Sequence, residues 1–370
     1  MKKYDLVIVG AGLYGCTFAR ICKDNGLNPL ILEQRDTIGG NCYDENIEGI
    51  NVHIYGAHIF RTSDKKVYEF VSRFTNLLPY SHQVLAKYHH KYYNLPINRF
   101  TLEQIYGKDF ENKHQKELDK YSNIPIHNLK DKVRNLAGNK IYKILFEGYS
   151  MKQWNKPCED IPADTIRRIQ FRDNYNNDYF SEKYEGIPDE GYTEMFYEMT
   201  RDIDIQYKFK AGKSYLDKLD CPIIYTGQID EYYNYILGKL EYRSLKFKLE
   251  KHSKYIYQPS AVVNLTGITP RYTRIIEHKH FNQKYQNLPY TYITKEYPDD
   301  YDGTNIPFYT VNDEKNTSLY NRYLKLSKKD KNIIFVGRLG TYQYLDMNET
   351  IQLAMKDATK FVNKVKKNDK

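Results

Sequence analysis

Tyr4-Asp5-Leu6-Val7-Ile8-Val9 runs directly into Gly10-Ala11-Gly12-Leu13-Tyr14-Gly15, and the text from Leu13 to Asn25 has helical spacing that stops at Gly26. Pro29 to Glu33 is a second short apolar run, and it ends in a carboxylate. The order strand, tight turn, helix, strand, acid is that of the βαβ unit that opens a dinucleotide-binding fold. Glycines at 10, 12 and 15 allow the turn and let backbone N–H groups approach a pyrophosphate at the helix N-terminus. Glu33 stands where a carboxylate accepts from both ribose hydroxyls. A glycine motif alone can be an ordinary turn, but this context makes a dinucleotide the expectation.

Two further elements choose between dinucleotides. Arg35-Asp36-Thr37-Ile38-Gly39-Gly40-Asn41 places a second glycine pair just after the acid, which NAD dehydrogenases do not need. Asn332-Ile333-Ile334-Phe335-Val336-Gly337-Arg338 reads as a returning strand, and a last helix runs from Met347 to Val365. A helix N-terminus aimed at an isoalloxazine stabilises its reduced, anionic form. Together the three elements favour FAD, and no tethering residue is evident, so the cofactor is expected to be non-covalent.

The remaining text sets bounds on the function. The chain has 370 residues, enough for two or three domains, and 41% apolar with 28% charged residues excludes wholesale disorder. Mean hydropathy is −0.75 and no apolar run nears twenty residues, so no membrane span is expected. The start lacks the pattern of a signal peptide, and five scattered cysteines form no CxxC, which points to the cytoplasm. A net charge of +9 suits a polyanionic partner: nucleic acid, anionic membrane or a phosphorylated small molecule. Thirty-eight tyrosines supply stacking faces and hydroxyl donors as well as packing. An amphipathic segment covers about 61–82, residues 100–156 have helical periodicity, and 240–312 alternate as in an antiparallel sheet. From Phe171 to about Tyr192 the composition is that of a mobile surface segment. His278 and His280 read as alternating on a strand beside Glu277, with no third partner at metal-ligand spacing, so no metal is expected.

Longer words then carry a resemblance. Tyr55-Gly56-Ala57-His58-Ile59-Phe60, Leu95-Pro96-Ile97-Asn98 and Gly148-Tyr149-Ser150-Met151-Lys152-Gln153-Trp154 follow the opening in order. Next come Pro162-Ala163 with Arg167-Arg168, Asn177-Asp178-Tyr179-Phe180, Gly191-Tyr192-Thr193 and Tyr272-Thr273-Arg274-Ile275-Ile276-Glu277-His278-Lys279. Gly337-Arg338-Leu339-Gly340-Thr341-Tyr342-Gln343-Tyr344-Leu345-Asp346-Met347 closes the series. Over nearly its whole length the chain resembles the bacterial UDP-galactopyranose mutases.

That resemblance implies an α/β fold: a Rossmann-like FAD-binding domain with an inserted helical domain and an antiparallel β-sheet domain. It divides the chain into a discontinuous FAD domain (1–78, 190–238, 330–370), a helical domain (98–156) and a sheet domain (79–97, 157–189, 239–329) with a mobile loop at about 168–180. It implies an isomerase that converts a UDP-hexopyranose, of UDP-galactose or UDP-N-acetylgalactosamine type, to the furanose through an adduct on reduced flavin N5, feeding cell-surface polysaccharide synthesis. Arg168 and Arg274 match the family's diphosphate-binding pair, a task that suits bidentate guanidinium. Tyr179, Tyr309 and Tyr344 match its phosphate-contacting tyrosines, Tyr149, Ser150 and Trp154 the uridine and sugar side, and Asn264 a further substrate contact. His58 would lie against the flavin. The FAD contacts carried over are Gly10, Gly12, Tyr14, Gly15, Glu33, Gln34, Gly39, Gly40, Asn41, His58, Ile59, Arg338, Leu345, Asp346, Met347 and Thr350. A cellular reductant such as NAD(P)H and a homodimer are implied as well.

Three positions depart from the family. Ala57 and Arg61 stand where it commonly has Pro and His, and His82 where it has Asn, so both sugar-facing positions offer altered donors. An amine-oxidase-like flavoprotein shares the opening fingerprint but would need an apolar amine cage, against the paired arginines. A basic nucleic-acid-binding protein would need an aromatic box or clustered basic residues, and the chain has neither outside its lysine-rich tail.

Overall fold

The computed structural model describes residues 4–166, 169 and 171–368. Five strands, β1 (Leu6–Val9), β2 (Pro29–Leu32), β3 (Asp204–Gln206), β4 (Ile223–Tyr225) and β5 (Ile333–Phe335), form a parallel sheet in the order β3-β2-β1-β4-β5. Alternation along β1 decides its two faces. Leu6 and Ile8 enter one core with Ile31 and Ile224, while Val7 enters the other with Leu32, Ile223 and Tyr225. The first face is covered by α1 (Leu13–Asp24) and α2 (Met347–Asn368), where Phe18 meets Phe361 at 5.7 Å between ring centroids. Strand order reverses between β1 and β4, so a crevice opens at their carboxyl ends.

A second sheet has seven strands, in the order Tyr309–Thr310, Tyr242–His252, Thr291–Asp300, Arg274–Glu277, Val262–Leu265, Val84–Tyr88 and Lys91–Leu95. It is antiparallel except where Val262–Leu265 runs parallel to Val84–Tyr88. A small sheet joins Phe60–Thr62 and Leu77–Pro79 to Tyr184–Pro188, so the amphipathic reading of 61–82 resolves into strand, helix Lys65–Val71 and strand. The strand Tyr184–Pro188 also falls inside the span expected to be a surface segment.

The helical unit comprises Arg99–Tyr106, Phe110–Tyr121, Leu129–Ala137, Asn139–Ile141 and Gly148–Trp154, with a π-helical turn at Tyr142–Glu147. Asn98 and Thr101 exchange side-chain and backbone hydrogen bonds as a capping box at its start. Two differences from the sequence reading stand out. His278–Phe281 is a 3₁₀ turn after the strand, not part of it, and a 14-residue helix, Glu314–Ser327, packs Tyr323 into the Val7 face of the parallel sheet.

Candidate active site

One cavity of about 1210 Å³ lies across the carboxyl ends of β1, β4 and β5 and reaches Leu245, Val262, Arg274 and Glu296 of the seven-stranded sheet. Its floor is the turn after β1. A Cβ on Gly15 would lie 2.0 Å from the Gly10 carbonyl oxygen, so the helix can start this close to the turn only with glycine there. The second glycine pair packs on the first: Gly39 N–H donates to Ala11 O at 2.9 Å, and Gly12 bridges Gly39. Arg35 braces this arrangement by donating to Gly40 O at 2.9 Å and Asn41 Oδ1 at 3.1 Å.

Glu33 is buried, and its two oxygens accept backbone N–H groups from Ala11 at 2.7 Å and Arg35 at 2.8 Å. The carboxylate is thereby fixed at the cavity wall with lone pairs to spare. Leu345, Asp346, Met347 and Thr350 bring the N-terminus of α2 to the far end of the cavity. All residues expected to touch FAD line this one cavity, although the Tyr14 hydroxyl itself donates to Asp357 on α2. A glycine cradle, a ribose-height carboxylate and a facing helix N-terminus in one continuous space fit FAD.

Arg274 is the charged centre of the other half. Its Nε donates to Asn264 Oδ1 at 3.1 Å, Nη2 to the Tyr149 hydroxyl at 3.4 Å, and Nη1 lies 3.4 Å from Glu296 Oε2, its cross-strand neighbour. Burial disfavours its charge, but Glu296 and the oxygens of Tyr149, Tyr309 and Tyr179 more than offset this and raise its pKa above the ordinary value. Tyr309 and Tyr344 line the same region with ring centroids 6.0 Å apart.

Four histidines, His53, His58, His82 and His278, are held below the usual imidazole range. His58 Nδ1 faces Gly56 O at 2.8 Å; a carbonyl only accepts, so Nδ1 carries the proton and Nε2 is left as an acceptor. Behind it His53 Nδ1 accepts the His58 backbone N–H at 3.1 Å, and His278 Nδ1 accepts the His53 N–H at 3.2 Å. His278 Nε2 then donates to Thr294 Oγ1 at 2.8 Å. Burial pushes His53 down to about 3 and His58 to about 4, and holds His278 well below its usual value. His82 is pushed to about 3 by burial, then by Arg274 and Arg61. His280 faces Glu277 and Gln258 O, and no metal-binding cluster occurs among the described residues.

Of the substrate candidates, Arg61, His82, Tyr179, Asn264, Tyr309 and Tyr344 line the cavity. Tyr149 reaches it through Arg274, whereas Ser150 is buried and Trp154 packs on the helical core, and neither lines the cavity. Arg168 lies outside the described residues. The segment 171–180 is docked: Arg99 pairs with Asp173 at 2.8 Å, Asn98 Nδ2 donates to Asn177 Oδ1 at 2.7 Å, and Arg172 gathers the carbonyls of Asp178, Tyr179 and Phe180. Glu296 and Lys152 escaped the sequence reading. Lys152 Nζ donates to Leu265 O, Pro270 O and Tyr272 O at 2.8, 3.0 and 3.0 Å, tying the helix of Tyr149 to the hairpin of Arg274.

Comparison with known proteins places this arrangement. Residues 144–344 match the family described as UDP-galactopyranose mutase, and residues 8–74 an NAD(P)-binding Rossmann-like domain. The chain is 33% identical to the dTDP-fucopyranose mutase of Escherichia coli, over 96% of this chain and 98% of that one. It is also 33% identical to a probable UDP-galactopyranose mutase of Klebsiella pneumoniae, over 99% and 96%. A crystal structure of reduced UDP-galactopyranose mutase superposes with a TM-score of 0.75 at 13% identity, over 98% of this chain and 96% of that one. A flavin-containing amine oxidase of Danio rerio matches at 38% over only 17% of this chain, so that likeness is local.

Proposed function

Because the chain belongs to the UDP-galactopyranose mutase family and is an FAD-dependent isomerase, we propose that it interconverts the pyranose and furanose forms of a nucleoside-diphosphate hexose. The observation that carries this is the Arg274–Tyr149–Asn264–Glu296 cluster, which opens into the same cavity as the glycine cradle. When bound and reduced, FAD supplies the nucleophilic chemistry at the anomeric carbon. The chain's own task is to hold a diphosphate before and after it departs. Arg274 does this with a charge that the cavity keeps ionised, and the Tyr179, Tyr309 and Tyr344 hydroxyls add neutral donors. Arg168 is proposed as the second cation. His58 presents an acceptor at Nε2 and, held neutral, adds no charge beside the flavin. Segment 171–180, pinned by Asn98 and Arg99, is proposed as part of a lid that excludes water.

The substrate follows from the relatives' names, which at equal identity include UDP-galactopyranose and dTDP-fucopyranose mutases. Both sugars are proposed as substrates to test, with UDP-N-acetylgalactosamine as a third. We also take a cytoplasmic homodimer, reduced by a donor such as NAD(P)H, as the working form. The deciding experiment incubates dithionite-reduced and oxidised holoenzyme with each sugar and separates pyranose from furanose by chromatography. Reduced enzyme is expected to interconvert at least one without consuming stoichiometric reductant. Equal turnover by the oxidised enzyme, or steady peroxide release with an amine, would overturn the reading.

A further inference from the structure

Arg61 occupies the middle of strand Phe60–Thr62, opposite Glu185. Its guanidinium has three neighbours, one held by a hydrogen bond and Glu182 by charge alone, since Nε makes no hydrogen bond. Nη2 donates to Asp346 Oδ2 at 2.9 Å, Nε lies 3.2 Å from Glu182 Oε1, and Cζ sits 4.0 Å over the Phe180 ring. Phe180 is itself stacked on His82, with centroids 5.5 Å apart and planes 21° from parallel. These partners come from separate parts of the chain: the end of the docked segment, and the residue that precedes α2.

Asp346 holds the N-cap position of α2. Its carbonyl accepts the Thr350 N–H, and Glu349 Oε2 reaches back to its own N–H at 2.9 Å. An aspartate at an N-cap ordinarily turns its carboxylate onto the first-turn N–H groups. Here the carboxylate points to Arg61 instead. Among the described residues no side chain caps the N–H groups of Met347, Asn348 or Glu349, and that helix end faces the cavity.

We propose that Arg61 is a positioning residue that fastens segment 179–182 to the N-cap of α2 and draws the Asp346 carboxylate away from that helix terminus, rather than a donor that reads the sugar. The inference rests on the flavin-dependent mutase reading of the cavity. Two consequences follow from the one side chain. Tyr179 and Phe180 are held over the substrate half, and the positive end of α2 stays uncancelled beside the cofactor, where it favours a reduced, anionic ring.

The test uses holoenzyme carrying Arg61→Met, Arg61→Lys, Arg61→His, Glu182→Gln and the Arg61→Met/Glu182→Gln pair. Arg61→Met keeps length and the apolar contact with Phe180 but frees Asp346, so the flavin midpoint potential should fall, and Arg61→Lys should recover part of the fall. Glu182→Gln should leave the potential unchanged and weaken UDP binding, read by calorimetry. The pair should lose no more UDP affinity than Arg61→Met alone, because both act through one tie. The ratio of kcat/KM for UDP-galactopyranose to that for dTDP-fucopyranose should be the same in wild type and Arg61→His. An unmoved or raised potential in Arg61→Met, additive losses in the pair, or a tenfold change in that ratio would each overturn the proposal. If wild-type enzyme neither binds UDP nor turns over either sugar, the mutase reading fails, while the potentials of the bound flavin still decide the Asp346 arm.

Discussion

Acid unfolding of this protein should take up protons at its buried histidines. His53, His58, His82 and His278 are all held neutral in the fold, with values of about 3, 4 and 3 for the first three and a value well below normal for His278. In the unfolded chain each returns to about 6.5 and is mostly protonated at pH 5.5. A histidine whose folded pKa is depressed stabilises the fold above its unfolded pKa and loses that contribution as pH falls below it. Asp230 and Glu185 act in the opposite sense. Burial raises each to about 6, so they keep their protons in the fold and release them on unfolding at the same pH. Among these six groups, four histidines against two carboxyls leave a net uptake of about two protons, or about 3 kcal/mol of stability lost per pH unit near pH 5.5. Unfolding lightly buffered holoenzyme in urea and titrating the pH change back counts the protons directly. His278→Asn, which keeps an acceptor near the Nδ1 position, should lower the count by about one. Net proton release at pH 5.5, or an unchanged count in His278→Asn, would refute the assignment of buried neutral histidines.

Arg274→Ala should cut turnover by about a hundredfold and weaken UDP binding, the scale of losing one charge-stabilising donor, and Arg274→Lys should recover little because Lys lacks the fork that meets Asn264 and Tyr149 together; steady-state rates and calorimetry read both. Gly15→Ala should yield folded but flavin-poor protein, since its Cβ would sit 2.0 Å from the Gly10 oxygen, and bound flavin per chain measures this. Burial lowers Lys152 to about 8, so wild-type turnover should fall on the alkaline side with that midpoint, and Lys152→Arg should push the limb upward in the same pH–rate profile.

What the sequence disclosed and what it withheld divide along physical lines. The cofactor half was legible because its constraints are local: a turn, a helix start and a carboxylate lie within thirty residues and need particular residue types. The second glycine pair belongs with it, since a Cβ on Gly40 would lie 3.1 Å from the Gly12 Cα, and Gly39 holds a φ of +91° against the Phe196 ring. The substrate half depends on register. Arg274 meets Glu296 only because two strands separated by the 278–290 loop pair in one alignment, and nothing in either strand announces it. Arg61 meets Asp346 across 285 positions, so its reading as a sugar-facing donor could not be tested by spacing. Helix Glu314–Ser327 was missed because its packed stripe is mixed, with Asn316, Tyr320 and Tyr323 beside only two leucines, Leu319 and Leu326, so the apolar periodicity is weak. Trp154, attractive as a lone tryptophan, is placed by the apolar face of its own short helix on the helical core.

The parallel sheet joins β1 and β2 to β5, and α1 rests on α2, so residues near 10 and near 350 are walls of one chamber. On a ribosome moving at roughly 5–20 residues per second, the second wall follows the first by some tens of seconds. Until then the apolar face of α1, with Phe18 and Cys22, has no cover, and the flavin has a floor but no far end. Cofactor capture is therefore an event of the finished polypeptide, and a pool of nascent or truncated chains should bind none. Flavin supply and chaperone occupancy during synthesis, rather than any step of catalysis, would then set how much active protein a cell obtains from a given amount of message.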